Sequence, residues 1–318
     1  MPKGQDRDLP ALLIIYMNTE GRGIILKANK GLYLSKIKPY LFLLPTFSLV
    51  AVFSYYPFYY AITKSLTDLR LGAAEHFIGI DNFIRLLQDQ VFIKSLFNQL
   101  LITCTVVFVN IFFPLLAAEL LYFIRSERLS KGIKLGFVVP MLVPSIVIIL
   151  IWKYLFSTYF GVNTVFDMLG LHNLTKDWLN DSTTAIWSIL AVGFPFVSGL
   201  YFLIFHAALN SIPKEMQESA QIDGCNALQI VRYIHIPGLL PYFNIVAILC
   251  IISSLQNFGL VAAMTNGGPG YQTYIPALHM YKVAFGSYEI GYASSMGVIM
   301  FLFIMSFSII SQKITKSR

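Results

Sequence analysis

Ile212–Pro241 reads I-P-K-E-M-Q-E-S-A-Q-I-D-G-C-N-A-L-Q-I-V-R-Y-I-H-I-P-G-L-L-P, a polar island between two long apolar segments. Asn210 and Ser211 are placed to cap a first short helix. Pro213 suits its first position, where the missing N–H costs nothing, and Glu215 and Glu218 bring negative charge to its N-terminal half, as the helix dipole favours. Gly224 interrupts that helix. Asn226 then caps a second one running to Ile234, with Leu228, Val231 and Ile234 at one-face spacing, and Pro237 and Pro241 stop it. The expectation is a helix-turn-helix lying at a membrane face, with Glu218 pointing away from it.

The rest of the chain explains why a membrane is expected. Its 318 residues are 56% hydrophobic and 12% charged, with a mean hydropathy of +0.67. That excludes an ordinary soluble domain and predicts an all-α polytopic membrane protein. Six transmembrane helices are expected, at 39–62, 92–124, 135–157, 184–209, 242–264 and 290–310, inside a permease-sized domain of residues 39–312. The second is longer than a bilayer needs and should tilt or begin outside it. Pro140 and Pro144 in the third, and Gly193 and Pro195 in the fourth, mark breaks where a translocation path could bend or where helices pack. Residues 1–38 form a basic tail whose apolar run, Leu9–Met17, is too short to span and has no small-residue cleavage site. Residues 313–318 form a second tail.

Charge sets the orientation. With both tails, 125–134 and the island inside, the inner segments hold sixteen Lys and Arg against seven acids, and the outer ones six against eight. This fits the positive-inside rule with both termini cytoplasmic, and attributes the net charge of +7 to topology and lipid rather than nucleic acid. Glu119 and Lys153 remain within spans. Glu119 is expected to snorkel toward the interface beside Arg125, and Lys153 to anchor at the boundary next to Trp152. Cys104, Cys225 and Cys250 suggest neither a disulfide framework nor a metal cluster, and His206, His235 and His279 have no Cys or acid at ligand spacing. No G-x-x-x-x-G-K-S/T phosphate loop is present, so no ATP hydrolysis is expected of this chain.

The island's Pro213, Glu215, Glu218, Ala220, Asp223, Gly224, Ile236, Pro237 and Pro241 are similar to the EAA loop of ABC importer permeases, most like the carbohydrate-uptake branch with maltose and glycerol-phosphate permeases. Ser219, Cys225 and Val231 depart from the usual Ala, Ala and Phe by small or apolar replacements. The resemblance implies the type I importer permease fold, with Glu215, Glu218, Ala220, Asp223, Gly224 and Pro237 coupling to a groove on an ATP-hydrolysing subunit. It further implies a bacterial inner-membrane location, a second permease subunit, two ATPase subunits that bind ATP and Mg, and an extracytoplasmic solute-binding protein. No cofactor is expected in this chain. An ordinary interfacial hairpin is the plainer reading of the same residues.

Other segments carry weaker likenesses. F-I-G-I-D-N-F at Phe77–Phe83 matches the F-x-G-x-x-N-F pattern of sugar permeases, and its spacing through Leu87 suits an outer amphipathic helix or a simple connection. The spacing of Pro140 and Pro144 before Trp152, and the Gly161–Asn163 turn, are similar too. Thr265–Thr273 contains the G-G-P-x-x-x-T of carbohydrate permeases, so Gly267, Gly268, Pro269, Tyr271 and Thr273 are expected to face the binding protein, with Tyr271 and Gln272 exposed.

A sugar offers many hydroxyls and no charge, so a path for it needs amides, hydroxyls and aromatic faces. Ser253, Ser254, Gln256 and Asn257 form such a polar cluster in the fifth span, Ser254 and Asn257 lying closest to the maltose permease pattern. Hydrogen bonding between helices would use the same residues. The function expected is import of a sugar or oligosaccharide. The alternatives are an importer of another solute and an intramembrane transferase, the latter disfavoured by the dispersal of acids outside the island.

Overall fold

The structure, a computed structural model, describes residues 30–124 and 126–316. Expectations for residues 1–29, Arg125 and residues 317–318 lie outside the described residues. Among the described residues the regular structure is helical, with isolated β-bridges at Thr67–Phe77 and Arg70–Glu289.

Contacts divide the described residues into two units, with the boundary between Tyr60 and Ala61. α1 (Lys30–Val50) passes through a π turn at Ala51–Tyr55 into α2 (Tyr56–Ser65), whose residues from Ala61 on belong to the second unit, and Pro39–Ser65 is long and apolar enough to cross a bilayer.

The second unit is arranged around α4 (Gln90–Tyr122), an apolar helix of 33 residues and thus about 50 Å long. Asp89 caps it, its carboxylate accepting the N–H groups of Val91 at 2.9 Å and Phe92 at 3.1 Å. α4 packs on α9 (Gly199–Asn210) and α12 (Ile236–Gln256). Ala118, Leu121, Phe202, Phe205, Leu209, Leu239 and Val246 are buried between them. Lipid tails are as apolar as these side chains, so close van der Waals packing rather than escape from water holds the three together.

Two of the expected spans are broken. α5 (Glu127–Val138) ends in a 3-10 turn at Val139–Leu142 and resumes as α6 (Ser145–Leu155) after a bend of 93°. Pro140 and Pro144 supply no N–H and crowd the preceding turn, which accounts for the break. After α7 (Val162–Met168), the fourth region divides into α8 (Ala185–Ala191) and α9, interrupted at Gly193, Pro195 and Phe196, where the two non-proline residues take φ of +92° and +64°. By length and apolarity the described helices supply four spans, Pro39–Ser65, Gln90–Tyr122, Ala227–Gln256 and Ile290–Ile309, and a fifth if the bent pair counts as one. The six expected spans therefore reduce to four or five by this measure, with the 12-residue α9 a shorter apolar helix beside them.

The island differs from expectation at its second end. Its first helix, α10 (Lys214–Ile222), turns at Gly224 into α11 (Ala227–Ile230), but Pro237 and Pro241 do not end the second helix. A π turn at Val231–His235 feeds directly into α12, so the helix runs unbroken from Ala227 to Gln256. The wider turn, in which Ile236 N–H reaches the Val231 carbonyl, re-spaces the backbone just where proline would clash with a regular one. α13 (Gly259–Met264), α14 (Pro276–Phe285) and α15 (Ile290–Lys316) complete the chain.

The outer amphipathic helix expected over 77–87 is shorter and later. Phe77 bridges to Thr67 and Gly79 turns the chain, so α3 spans Asp81–Gln88. Its Leu86 is buried with Phe92, Tyr292 and Met296, and its Asn82 amide donates to the Ser65 and Thr67 carbonyls at 2.9 and 2.8 Å.

Candidate functional site

The island is held by local bonds. Asn226 and Gln229 form a reciprocal capping box, Gln229 N–H to Asn226 Oδ1 at 2.9 Å and Asn226 N–H to Gln229 Oε1 at 2.8 Å. Gly224 has φ of +82°, a left-handed conformation that side chains disfavour, and Cys225 N–H returns to the Ala220 carbonyl at 2.9 Å. The expected caps on α10 are absent. Asn210 donates to the His206 carbonyl and Ser211 to Ala208, while Pro213 itself occupies the cap position, because both polar side chains are taken up by the end of α9.

Glu215, Glu218 and Asp223 are exposed, as are Gly224 and Pro237, and Ala220 is half-buried. Beside the acids stand large apolar side chains open to the surroundings: Met216, Ile222, Leu228 and Tyr233. Leu228 does not share a buried face with Val231 and Ile234 as its spacing suggested. The π turn shifts the register, and Ile230 and His235 are buried instead.

Gln217 is the buried residue of α10, and the Tyr122 hydroxyl at the end of α4 donates to its Oε1. One turn back on α4, Glu119 is 7% exposed, and its Oε2 lies 2.8 Å from Nδ1 of the fully buried His235. Glu119 does not snorkel. A carboxylate held inside the bundle pairs with a group from another helix rather than reaching the interface, here through Oε2 alone. Sequence reasoning missed this pairing. Its signals were an acid alone in an apolar helix and a histidine within the island.

At the opposite end of α4, Asp89 has further partners. The Tyr292 hydroxyl donates to Oδ2 at 2.7 Å and His279 Nε2 lies 3.1 Å from it. Burial pushes the Asp89 carboxyl up, but the bonds from Tyr292, His279 and the Phe92 N–H, with the charge of His279, outweigh it and hold the group below the usual carboxylate value. His235 and His279, scattered in sequence, thus each meet an acid in space. Lys153 Nζ donates to the Ala263 carbonyl at 2.6 Å, tying α6 to α13.

The Thr265–Thr273 loop is built inward as well as outward. Thr273 is fully buried, pairing with Thr265 Oγ1 at 2.7 Å and donating to the Gly268 carbonyl at 2.8 Å, so its side chain shapes the loop from within. Gly267 has φ of +87°, and a Cβ there would lie 2.2 Å from Tyr274 Cδ2. Gly268 and Pro269 are half-buried and Tyr271 is exposed, but Gln272 is only half-exposed, because the turn that lifts Tyr271 (φ +64°) tucks its neighbour in. Asn98 of α4 anchors this loop, its amide donating to the Tyr271 and Tyr274 carbonyls at 3.0 and 2.9 Å.

In the fifth-span cluster the four residues separate. Ser254 is buried, its hydroxyl 3.0 Å from Thr103 Oγ1 and accepting from Gln99 Nε2 at 3.2 Å, a bridge between α12 and α4. Ser253 donates to the Cys250 carbonyl, and Gln256 and Asn257 are exposed where α12 ends. A separate cavity of about 490 Å³, lined by Lys153, Tyr154, Ser157, Tyr159, Asp177 and Asn180 among others, lies away from this cluster and from the island.

The chain is 33% identical over 264 residues to a probable ABC transporter permease protein of Pyrococcus horikoshii, covering 82% of this chain and 90% of that one. It is 30% identical to the diacetylchitobiose uptake system permease protein NgcF of Streptomyces coelicolor, over 80% of this chain and 75% of that one. In fold it is similar to a chain of a bacterial ABC transporter involved in import of the acidic polysaccharide alginate, with a TM-score of 0.78 at 19% identity, covering 90% of this chain and 98% of that one. Residues 110–318 match the family described as binding-protein-dependent transport system inner membrane component. The chain belongs to that family and is a permease subunit of an ABC transporter.

Proposed function

We propose that this chain imports a sugar or oligosaccharide across the cell membrane, driven through the Ile212–Pro241 island by ATP hydrolysis on partner subunits. The observation that carries the reading is the island's surface: Glu215 and Glu218 exposed beside Met216, Ile222, Leu228 and Tyr233, on a short element braced by its own capping box. Exposed apolar side chains rimmed by charge are what a docking surface for another protein looks like. The partners are two ATPase subunits, which bind ATP and Mg, a second permease and an extracytoplasmic solute-binding protein. The island and both termini lie in the cytoplasm, in keeping with the distribution of Lys and Arg.

ATP-driven closure of the ATPases would press on α10 and shift the balance between inward-open and outward-open bundles, which requires that the two states differ in affinity for the ATP-bound motor. Ser254 and its neighbours Ser253, Gln256 and Asn257 stand along the substrate path, and the Gly267–Thr273 loop meets the binding protein with Tyr271. The sugar reading is supported by the chitobiose permease among the relatives and by the uncharged lining of the fifth-span cluster. In the complete transporter, Glu218→Arg is expected to abolish uptake and substrate-stimulated ATPase activity, and unchanged rates would remove the coupling role. Binding of saccharides by the partner binding protein, measured calorimetrically, tests the cargo. A preference for an amino acid or other solute would replace it.

A further inference from the structure

Among the described residues six buried side-chain polar atoms lack a hydrogen-bond partner, and three of them belong to neighbouring residues where the island meets α4: Glu119 Oε1, Gln217 Nε2 and His235 Nε2. The docking surface uses none of them. Glu119 and Tyr122 are three residues apart on α4, so they share a face and are separated along its axis by about 4.5 Å. Gln217 sits at Tyr122, with its carbonyl oxygen engaged and its amide nitrogen free. Glu119 is paired to His235 through one oxygen and has the other free. The two leftover groups are complementary, since an amide nitrogen donates and a carboxylate oxygen accepts.

We infer that Tyr122 and Glu119 are two alternative seats for Gln217, and that α10 steps between them, by about one helical turn along α4, during transport. The inference rests on the coupling reading and names the contact through which the motion enters the bundle. Moving from Tyr122 to Glu119 exchanges one hydrogen bond for another: Gln217 Nε2 and Glu119 Oε1 gain a partner, while the Tyr122 hydroxyl and Gln217 Oε1 give theirs up, so the two seats are closely matched. It carries α10 away from the end of α4 and deeper along the helix, the direction in which a motor pressing from the island's side would drive it. Two discrete seats one turn apart make a step rather than a continuous slide. Gly224 is placed to absorb the movement, because it lies between α10 and α11, adopts φ of +82° and has no atom within 4 Å of where its Cβ would be. His235 belongs to the helix that continues into α12, which packs on α4, so it holds Glu119 in orientation while α10 moves. Its ring is fixed edge-on to Tyr122 at 5.0 Å and stacked on Phe123 at 6.1 Å. Gln217, Glu119 and Tyr122 are thus positioning residues.

The test uses the complete transporter in liposomes, reading substrate imported and ATP hydrolysed. Gln217→Glu keeps an acceptor for the Tyr122 hydroxyl but sets a like charge against Glu119. It is expected to lower uptake per ATP roughly tenfold without altering assembly. Adding Glu119→Gln restores a donor opposite an acceptor and should return the ratio to within about threefold of the unaltered protein. A normal ratio in Gln217→Glu, or a double variant no better than the single, overturns the seats. A second measurement does not depend on transport: with Cys104, Cys225 and Cys250 replaced by serine, Tyr122→Cys and Gln217→Cys should cross-link without nucleotide and much less with a non-hydrolysable ATP analogue. Cross-linking indifferent to the analogue overturns the proposal. Glu218→Arg run alongside separates the two ideas. If it abolishes uptake while Gln217→Glu does not, the seats fall and the coupling reading stands, whereas a neutral Glu218→Arg removes the coupling reading itself.

Discussion

The two ends of α4 carry polar groups and treat them in opposite ways. At the Asp89 end the carboxylate accepts from Val91, Phe92 and Tyr292 and pairs with His279. Nearby, Asn98 holds two loop carbonyls, and Glu289 binds both Arg70 at 2.9 Å and Arg85 at 2.6 Å. At the Tyr122 end the polar residues are more deeply buried than Asp89 and Glu289, yet Glu119, Gln217 and His235 each keep an atom unpaired. A fully satisfied network fixes one arrangement, and a partly satisfied one leaves room for a second. The difference teaches which end is a clamp and which is a joint.

Three substitutions or conditions put that contrast at risk. Asp89→Ala removes a helix cap and strands the Tyr292 hydroxyl and His279, so it should destabilise the purified complex by about 3 kcal/mol, seen as a lower unfolding temperature. ATP hydrolysed per substrate imported should stay the same, and a changed ratio would mean that the clamp also moves. Gly267→Ala forces a side chain into a left-handed backbone and against Tyr274, at a cost of about 2 kcal/mol, and is expected to weaken stimulation by the loaded binding protein before it weakens basal ATPase activity.

The smallest effect is on pH. Asp89 is held below its ordinary value in the folded protein, so its contribution to stability is complete above the unfolded value of 3.8 and is lost as pH falls through the lower folded one. Unfolding temperatures of the unaltered protein and of Asp89→Asn should therefore differ steadily at neutral pH and converge as the solution is taken below about pH 4.

Much of the fold was readable in the residues. The apolar runs that become α4, α12 and α15 are long enough to announce themselves, because the bilayer core demands about 20 residues and tolerates few charges. The turn at Gly224 and the cap at Asn226 follow from local stereochemistry. The prolines misled in one place and guided in another. Pro140 and Pro144 do break a span, while Pro237 and Pro241 sit within an unbroken helix, because a π turn just before Pro237 relieves the clash that a regular helix would suffer. Nothing local signals that choice. Leu228 shows the same limit, since its spacing fits a buried face only if the helix stays regular.

The sequence alone determined that the chain is a multi-pass helical membrane protein with an acidic, glycine-broken island, since hydropathy, charge and capping act over a few residues. Only the tertiary structure decided that Glu119 meets His235 across 116 residues, that Asp89 meets His279 across 190, and that Thr273 is an internal brace. These pairings depend on which helix faces lie together, and packing of side chains from distant segments sets that. In a bundle with apolar surroundings on every side, an apolar helix face carries little information about which neighbour it will choose.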